Sequence, residues 1–96
     1  MAAHRRWKMR QGNTDGLSPE MRRAYEDARR AYELAEAVRA RRLELGLTQT
    51  EVARRAGIPQ PSLSRIEGGG GTPTIATLDR LAEALGLTFI ARFEAM

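Results

Sequence analysis

The sequence predicts an all-α fold: a small helical bundle with an extended first helix and a short C-terminal β-strand. Three observations lead there. Apolar residues recur at steps of three and four over most of the 96 positions, the spacing that lines side chains along one face of a helix. Breakers fall between the periodic stretches, with glycine at 46, 57, 68 and 86 and proline at 19, 59 and 73. Alternation of period two is confined to residues 87–94.

Residues 1–17 have no periodicity and include Gly12, Asn13, Asp15 and Gly16, so they read as a flexible basic arm ending in a turn. Ser18 and Pro19 open the first helix. Serine caps free N–H groups, and proline suits the first helical position. Met21, Tyr25, Ala28, Tyr32, Ala35 and Val38 draw one apolar stripe, and the helix runs to Leu45, where Gly46 stops it. Arg22/Glu26, Arg23/Asp27 and Glu26/Arg30 stand four apart and are placed to pair on the outer face. At 1.5 Å per residue such a helix is about 40 Å long, more than so small a domain covers, so part of the stripe needs a partner.

Thr48-Gln49-Thr50-Glu51 is a capping box, with Leu47 and Val52 placed as its hydrophobic staple. The short helix that follows ends at Ala56 and breaks at Gly57; another runs from Pro59 or Gln60 to about Glu67, with Leu63 and Ile66 inward. The glycines at 68–71 end it. Pro73-Thr74 starts a fourth helix with Ile75, Leu78, Leu81, Ala82 and Leu85 on one face and Gly86 as terminator. In residues 87–96, Leu87, Phe89, Ala91 and Phe93 fall on one side of the expected strand. A lone strand leaves its backbone groups unpaired. Its simplest partner is the same strand of a second copy across a two-fold axis, with Leu87, Phe89, Ile90 and Phe93 at the interface. The alternative is an irregular extension lying against the domain.

Composition narrows the function. The absence of cysteine excludes disulfides and thiolate zinc sites, and the single histidine, His4, leaves no imidazole pair for a metal or a catalytic dyad. No cofactor and no metal are expected, and no serine has a base to activate it. No apolar run approaches the ~20 residues of a membrane span, and no secretory signal is visible, so a cytoplasmic protein is expected. The net charge is +4, carried by the first 23 residues, which hold six Arg or Lys against two acids. Fifteen of the sixteen basic residues are arginine, a side chain that forks phosphates and guanines, although a biased genome composition gives the same excess.

Two short helices joined by a tight glycine turn make a helix-turn-helix. The positions agree in detail: Ala53 is small where two helices cross, Gly57 accepts the left-handed turn, and Val52, Ile58, Leu63 and Ile66 are the aliphatics that hold the crossing angle. At this point GLTQTEVARRAGIPQPSLSRIEGG, followed by PTIATLDRLAEALG, resembles the phage-repressor/Cro-type, or Xre, helix-turn-helix family. The resemblance covers roughly Leu34 to Gly86, so 34–86 is read as a helix-turn-helix DNA-binding domain and 18–33 as an N-terminal extension of its first helix. It implies a lambda-repressor-like bundle, a homodimer and double-stranded operator DNA as the partner. By that resemblance Gln49 touches a phosphate and buttresses the first recognition residue. Gln60, Pro61, Ser62, Ser64 and Arg65 lie on the recognition helix, and Arg54 and Arg55 are phosphate contacts or simply a solvated face. Glutamine pairs with adenine and arginine with guanine in the major groove. Arg42 and Glu67 resemble a structural pair between the first helix and the recognition helix. Pro59 and Pro61 depart from the family pattern: they supply no amide donors at the helix start, so fewer phosphate contacts are expected there.

The flanks extend the resemblance. An arm, a long Ala/Arg/Glu helix, a repressor-like motif and a short C-terminal strand together resemble HigA-type antitoxins, which bind a small ribonuclease toxin of the RelE-like class and repress their own operon. That resemblance implies toxin contacts from Trp7, Met9, Met21, Tyr25 and Tyr32, where aromatic and Met anchors suit an interface. The other reading packs Met21, Tyr25 and Tyr32 on the protein's own fold or its dimer mate and leaves Trp7 idle. Three functions remain in view: an antitoxin that binds DNA, a stand-alone repressor, and an interaction or RNA-binding module that keeps the fold.

Overall fold

The computed structural model describes residues 15–96 and holds four helices among them: α1 (Pro19–Glu44), α2 (Gln49–Ala56), α3 (Gln60–Glu67) and α4 (Ile75–Ala84). Each begins where local chemistry favours it. The Ser18 hydroxyl accepts the Met21 N–H at 3.1 Å at the head of α1. The capping box forms at α2: Thr48 Oγ1 accepts the Glu51 N–H at 3.0 Å, and Glu51 Oε1 accepts the Thr48 N–H at 2.9 Å. Thr74 caps α4 by accepting the Thr77 N–H at 3.0 Å. Only α3 starts without a side-chain cap, because Pro59 stands where a serine or threonine would.

The core is built by α2, α3 and α4 with the C-terminal half of α1. Val38, Val52, Ala53, Ala56, Leu63, Ile66, Leu81 and Leu85 form one buried cluster, closed by Leu47, Ile58 and Ala84. Helix α2 packs on both α3 and α4, and α1 packs on α3. Ala53, 2% exposed, is the small residue this crossing requires. Gly57 ends α2 at φ 72°, a left-handed conformation that costs a residue with a Cβ about 1–2 kcal/mol. A hydrogen bond ties α1 to the end of α4: Arg41 Nε donates to the Leu85 carbonyl at 2.9 Å, placing a cation at the C-terminal end of α4, where the helix dipole favours it.

Three expectations are corrected. The segment 87–96 forms no strand among the described residues. A strand is defined by its ladder, and within one chain every other described element is a helix or a turn. Leu87, Ile90 and Phe93 are exposed and Phe89 half-buried. Ile75 is 62% exposed rather than part of the α4 core face. It occupies the first helical position, and the inward face begins a turn later at Leu78. On α1 the ion pairs center on Arg29, which binds Glu26 and Glu33 at 2.8 Å each, and Arg30 pairs with Asp27. Glu26 thus pairs with Arg29 and not with Arg30.

The length of α1 is as expected. Its 26 residues span about 39 Å at 1.5 Å each, along a molecule whose extents are 43 × 27 × 26 Å. Only Ala35 and Val38 of its stripe are buried. Met21 and Ala28 are exposed, and Tyr25 and Tyr32 are half-buried. The N-terminal half of α1 therefore carries more apolar surface than the core covers.

Candidate nucleic-acid interface

Helix α3 turns Leu63 and Ile66 into the core, and that choice fixes what faces outward. Gln60, Pro61, Ser64 and Arg65 are exposed along one side, with Ser62 half-buried at its edge. Arg54 and Arg55 are exposed at the end of α2. The helix thus presents an amide, a hydroxyl and a guanidinium in a row, the donor and acceptor types that read base edges and phosphates.

Beneath this face runs a chain of hydrogen bonds. Arg42 on α1 grips Glu67 with two bonds, Nε to Oε2 at 2.8 Å and Nη2 to Oε1 at 2.9 Å. Its third nitrogen donates to the Leu47 carbonyl at 2.9 Å. Glu67 Oε1 also accepts Gln49 Nε2 at 3.0 Å. Gln49 Oε1 in turn accepts Gln60 Nε2 at 2.8 Å. The side chains of Arg42 and Glu67 are 12% and 4% exposed, whereas Gln60 is open to solvent. The chain therefore leads from the core to the exposed amide of Gln60.

Electrostatics keep its inner end charged. Burial alone would raise the Glu67 carboxyl, but the hydrogen bonds from Arg42 and Gln49 and the charges of Arg42 and Arg39 outweigh it and hold the group below its ordinary value. The Glu67 hydrogen bond raises the Arg42 guanidinium still further from neutrality. At the head of α2 the Thr48 backbone and hydroxyl lower Glu51, with Arg55 and Arg54 adding to the effect.

Arg65 is supported differently. The glycine loop after α3 lies over its aliphatic stem: a Cβ at Gly71 would stand 3.3 Å from Arg65 Cδ, and one at Gly70 3.4 Å from Cγ. Gly71 also sits at φ +74°, and the Gly70 N–H donates to the Arg65 carbonyl at 3.0 Å. The loop packs beside the stem of a residue that is exposed overall. In the sequence these glycines read only as a helix stop. The signal for more was their number, since one glycine suffices to end a helix.

Of the residues expected to touch DNA, the structure joins Gln49 to Gln60 directly and leaves Arg54, Arg55, Pro61, Ser64 and Arg65 open. The link from Gln49 onward to Glu67 was not foreseen. Trp7 and Met9 lie outside the described residues, and Met21, Tyr25 and Tyr32 lie on α1, Met21 exposed and both tyrosines half-buried. Among the described residues no group of three His, Cys, Asp or Glu is arranged to hold a metal ion. No described helix is long and apolar enough to cross a membrane.

Residues 38–90 match the family described as "Helix-turn-helix". An uncharacterized HTH-type transcriptional regulator, y4dJ of Sinorhizobium fredii, is 49% identical over 49 residues, covering 51% of this chain and 64% of its own. Antitoxin HigA1 of Mycobacterium tuberculosis is 40% identical over 67 residues, 70% of this chain and 45% of its own. An uncharacterized HTH-type transcriptional regulator of Methanothermobacter thermautotrophicus is 41% identical over 49 residues, 51% of this chain and 71% of its own. The chain thus spans less than two thirds of the length of the first two relatives. No solved structure matches it.

Proposed function

We propose, from the premise that this chain belongs to the Xre-type helix-turn-helix family, that it is a sequence-specific DNA-binding antitoxin that represses its own operon and neutralises a small RelE-like ribonuclease. The observation that carries the DNA half is the recognition face of α3. Gln60 is fixed through Gln49 to a buried ion pair, and Arg65 is held by the glycine loop. Polar side chains held in place by the fold contact bases with less ordering cost than mobile ones.

The antitoxin half rests on α1 and on one relative. The N-terminal half of α1 exposes Met21 and half-buries Tyr25 and Tyr32 beyond the core, and the similarity to antitoxin HigA1 covers 67 residues, more than the family match at 38–90. In this reading the toxin packs along residues 19–33, with the arm bearing Trp7 and Met9 adding to the contact. A second copy covers Leu87, Phe89, Ile90 and Phe93. The alternative is a stand-alone repressor, favoured by the two relatives named only as transcriptional regulators.

Two measurements separate these. DNA from upstream of its own gene should bind the full chain with an affinity that falls by about tenfold or more between 50 and 200 mM salt. A flat salt response argues against phosphate contacts. Co-expressed with a RelE-like ribonuclease encoded beside it, the full chain should restore growth and co-purify with the enzyme, and a chain lacking residues 1–32 should do neither. If the truncated chain protects equally well, the extended helix is not the toxin site. If neither chain protects and DNA binding holds, the stand-alone repressor is the better account.

A further inference from the structure

We propose that Glu67, acting through Gln49, is a specificity-determining positioning residue: it sets the Gln60 amide so that α3 accepts adenine and rejects guanine at the base facing Gln60. The inference rests on the DNA-binding reading above and deepens it.

The two ends of a glutamine amide are nearly the same in shape and opposite in chemistry, so only the surrounding hydrogen bonds decide which way it faces. An ionised carboxylate accepts and never donates. Glu67 therefore requires Gln49 to present Nε2, and the bond is made at 3.0 Å. This leaves Gln49 Oε1 as the end that meets Gln60, so Gln60 must also present Nε2, and it does so at 2.8 Å. The polarity of Glu67 is thus passed through two amides to the surface.

What remains free on Gln60 is one N–H and its Oε1. Adenine offers an acceptor at N7 and a donor at N6, which match that pair. Guanine offers acceptors at both N7 and O6. To satisfy both, Gln60 would need its two N–H groups, and one is already committed to Gln49. Glu67 touches no base, yet it removes the donor that guanine would require. Arg42 keeps it in place with two hydrogen bonds of its own.

A glutamine at position 67 would lose this direction. Its amide meets two donors of Arg42, so either orientation leaves one donor facing another, and neither polarity is enforced on Gln49. The test uses the full chain and a duplex selected from a randomised pool by the wild-type protein. The base position read by Gln60 is the one whose preference Gln60→Ala abolishes. Anisotropy titrations then compare duplexes with A·T or G·C at that position. Wild type should favour adenine by about tenfold or more. Glu67→Gln should bring the two within about threefold while leaving the preference at the Arg65 position and the salt dependence unchanged. Gln49→Leu cuts the relay without touching the Arg42–Glu67 pair and should give the same loss, so it decides the matter if Glu67→Gln does not fold. Full adenine preference in both variants, or a different base at the Gln60 position, would overturn the inference. A wild-type chain that selects no site at all would instead remove the DNA-binding reading and this inference with it.

Discussion

Leu63→Ala should cost the protein about 2–5 kcal/mol of stability, the range for deleting a buried leucine side chain when the surroundings only partly close the cavity. Leu63 is fully buried, at 0% exposure, in the cluster where α1, α2, α3 and α4 meet. Domains of this kind have about 5–15 kcal/mol in total, so the loss lowers the thermal midpoint by at least about 10 °C. Leu63 also anchors the inner face of α3. DNA affinity should therefore fall together with stability, although Leu63 contributes nothing to the outer face. Ile75→Ala is the control: Ile75 is 62% exposed, and its replacement should stay within about 0.5 kcal/mol of wild type. Urea denaturation of the three proteins checks both statements. Equal midpoints for Leu63→Ala and wild type would mean that the core is not built around α3.

Glu67→Ala should be the most damaging polar substitution, at about 3 kcal/mol, because breaking a buried pair leaves the remaining charge desolvated. Arg42 would keep only the Leu47 carbonyl among its core-side partners. The pH dependence identifies the cause. Glu67 titrates lower in the folded chain than when unfolded, so its stabilising contribution is complete above the unfolded value of about 4.3. It is lost as pH falls from there through the folded value. Wild type should therefore lose stability on acidification below about pH 4.5 more steeply than Glu67→Ala does. Glu51, also lowered, acts in the same direction in both proteins, so the difference between their curves isolates Glu67. Parallel curves would show that the pair contributes nothing beyond its packing.

Most of the helical frame was legible because each boundary has a local cause. Ser18, the Thr48–Glu51 box, Gly57 and Thr74 specify starts and stops through groups within a few residues, and the structure keeps each of them. The C-terminal segment was misread because alternation reports a possible face and not a ladder. Leu87, Phe89 and Phe93 alternate correctly, yet no described element offers them a backbone partner. Ile75 matched the spacing of α4, but its place at the first helical turn put it outside the packed face. At the candidate site, the outward residues of α3 followed from Leu63 and Ile66 being inward. The Arg42–Glu67 pair and the support of Gln60 by Gln49 are what the family resemblance implies, but the link from Glu67 to Gln49 crosses 18 positions, and no local pattern encodes a contact of that range. Nor did spacing reveal that the glycine loop folds over Arg65.

That α3 reads base sequence is tested most directly by selection from a randomised duplex pool with wild-type and Arg65→Ala chains. Arg65 is exposed, so its loss leaves the core intact. The wild-type chain should enrich a defined site and bind it far more tightly than a scrambled duplex. Arg65→Ala should weaken binding by about 1–3 kcal/mol and relax the preference at a single base position. Equal wild-type affinity for the selected and scrambled duplexes, or an Arg65→Ala site identical at every position, would contradict it.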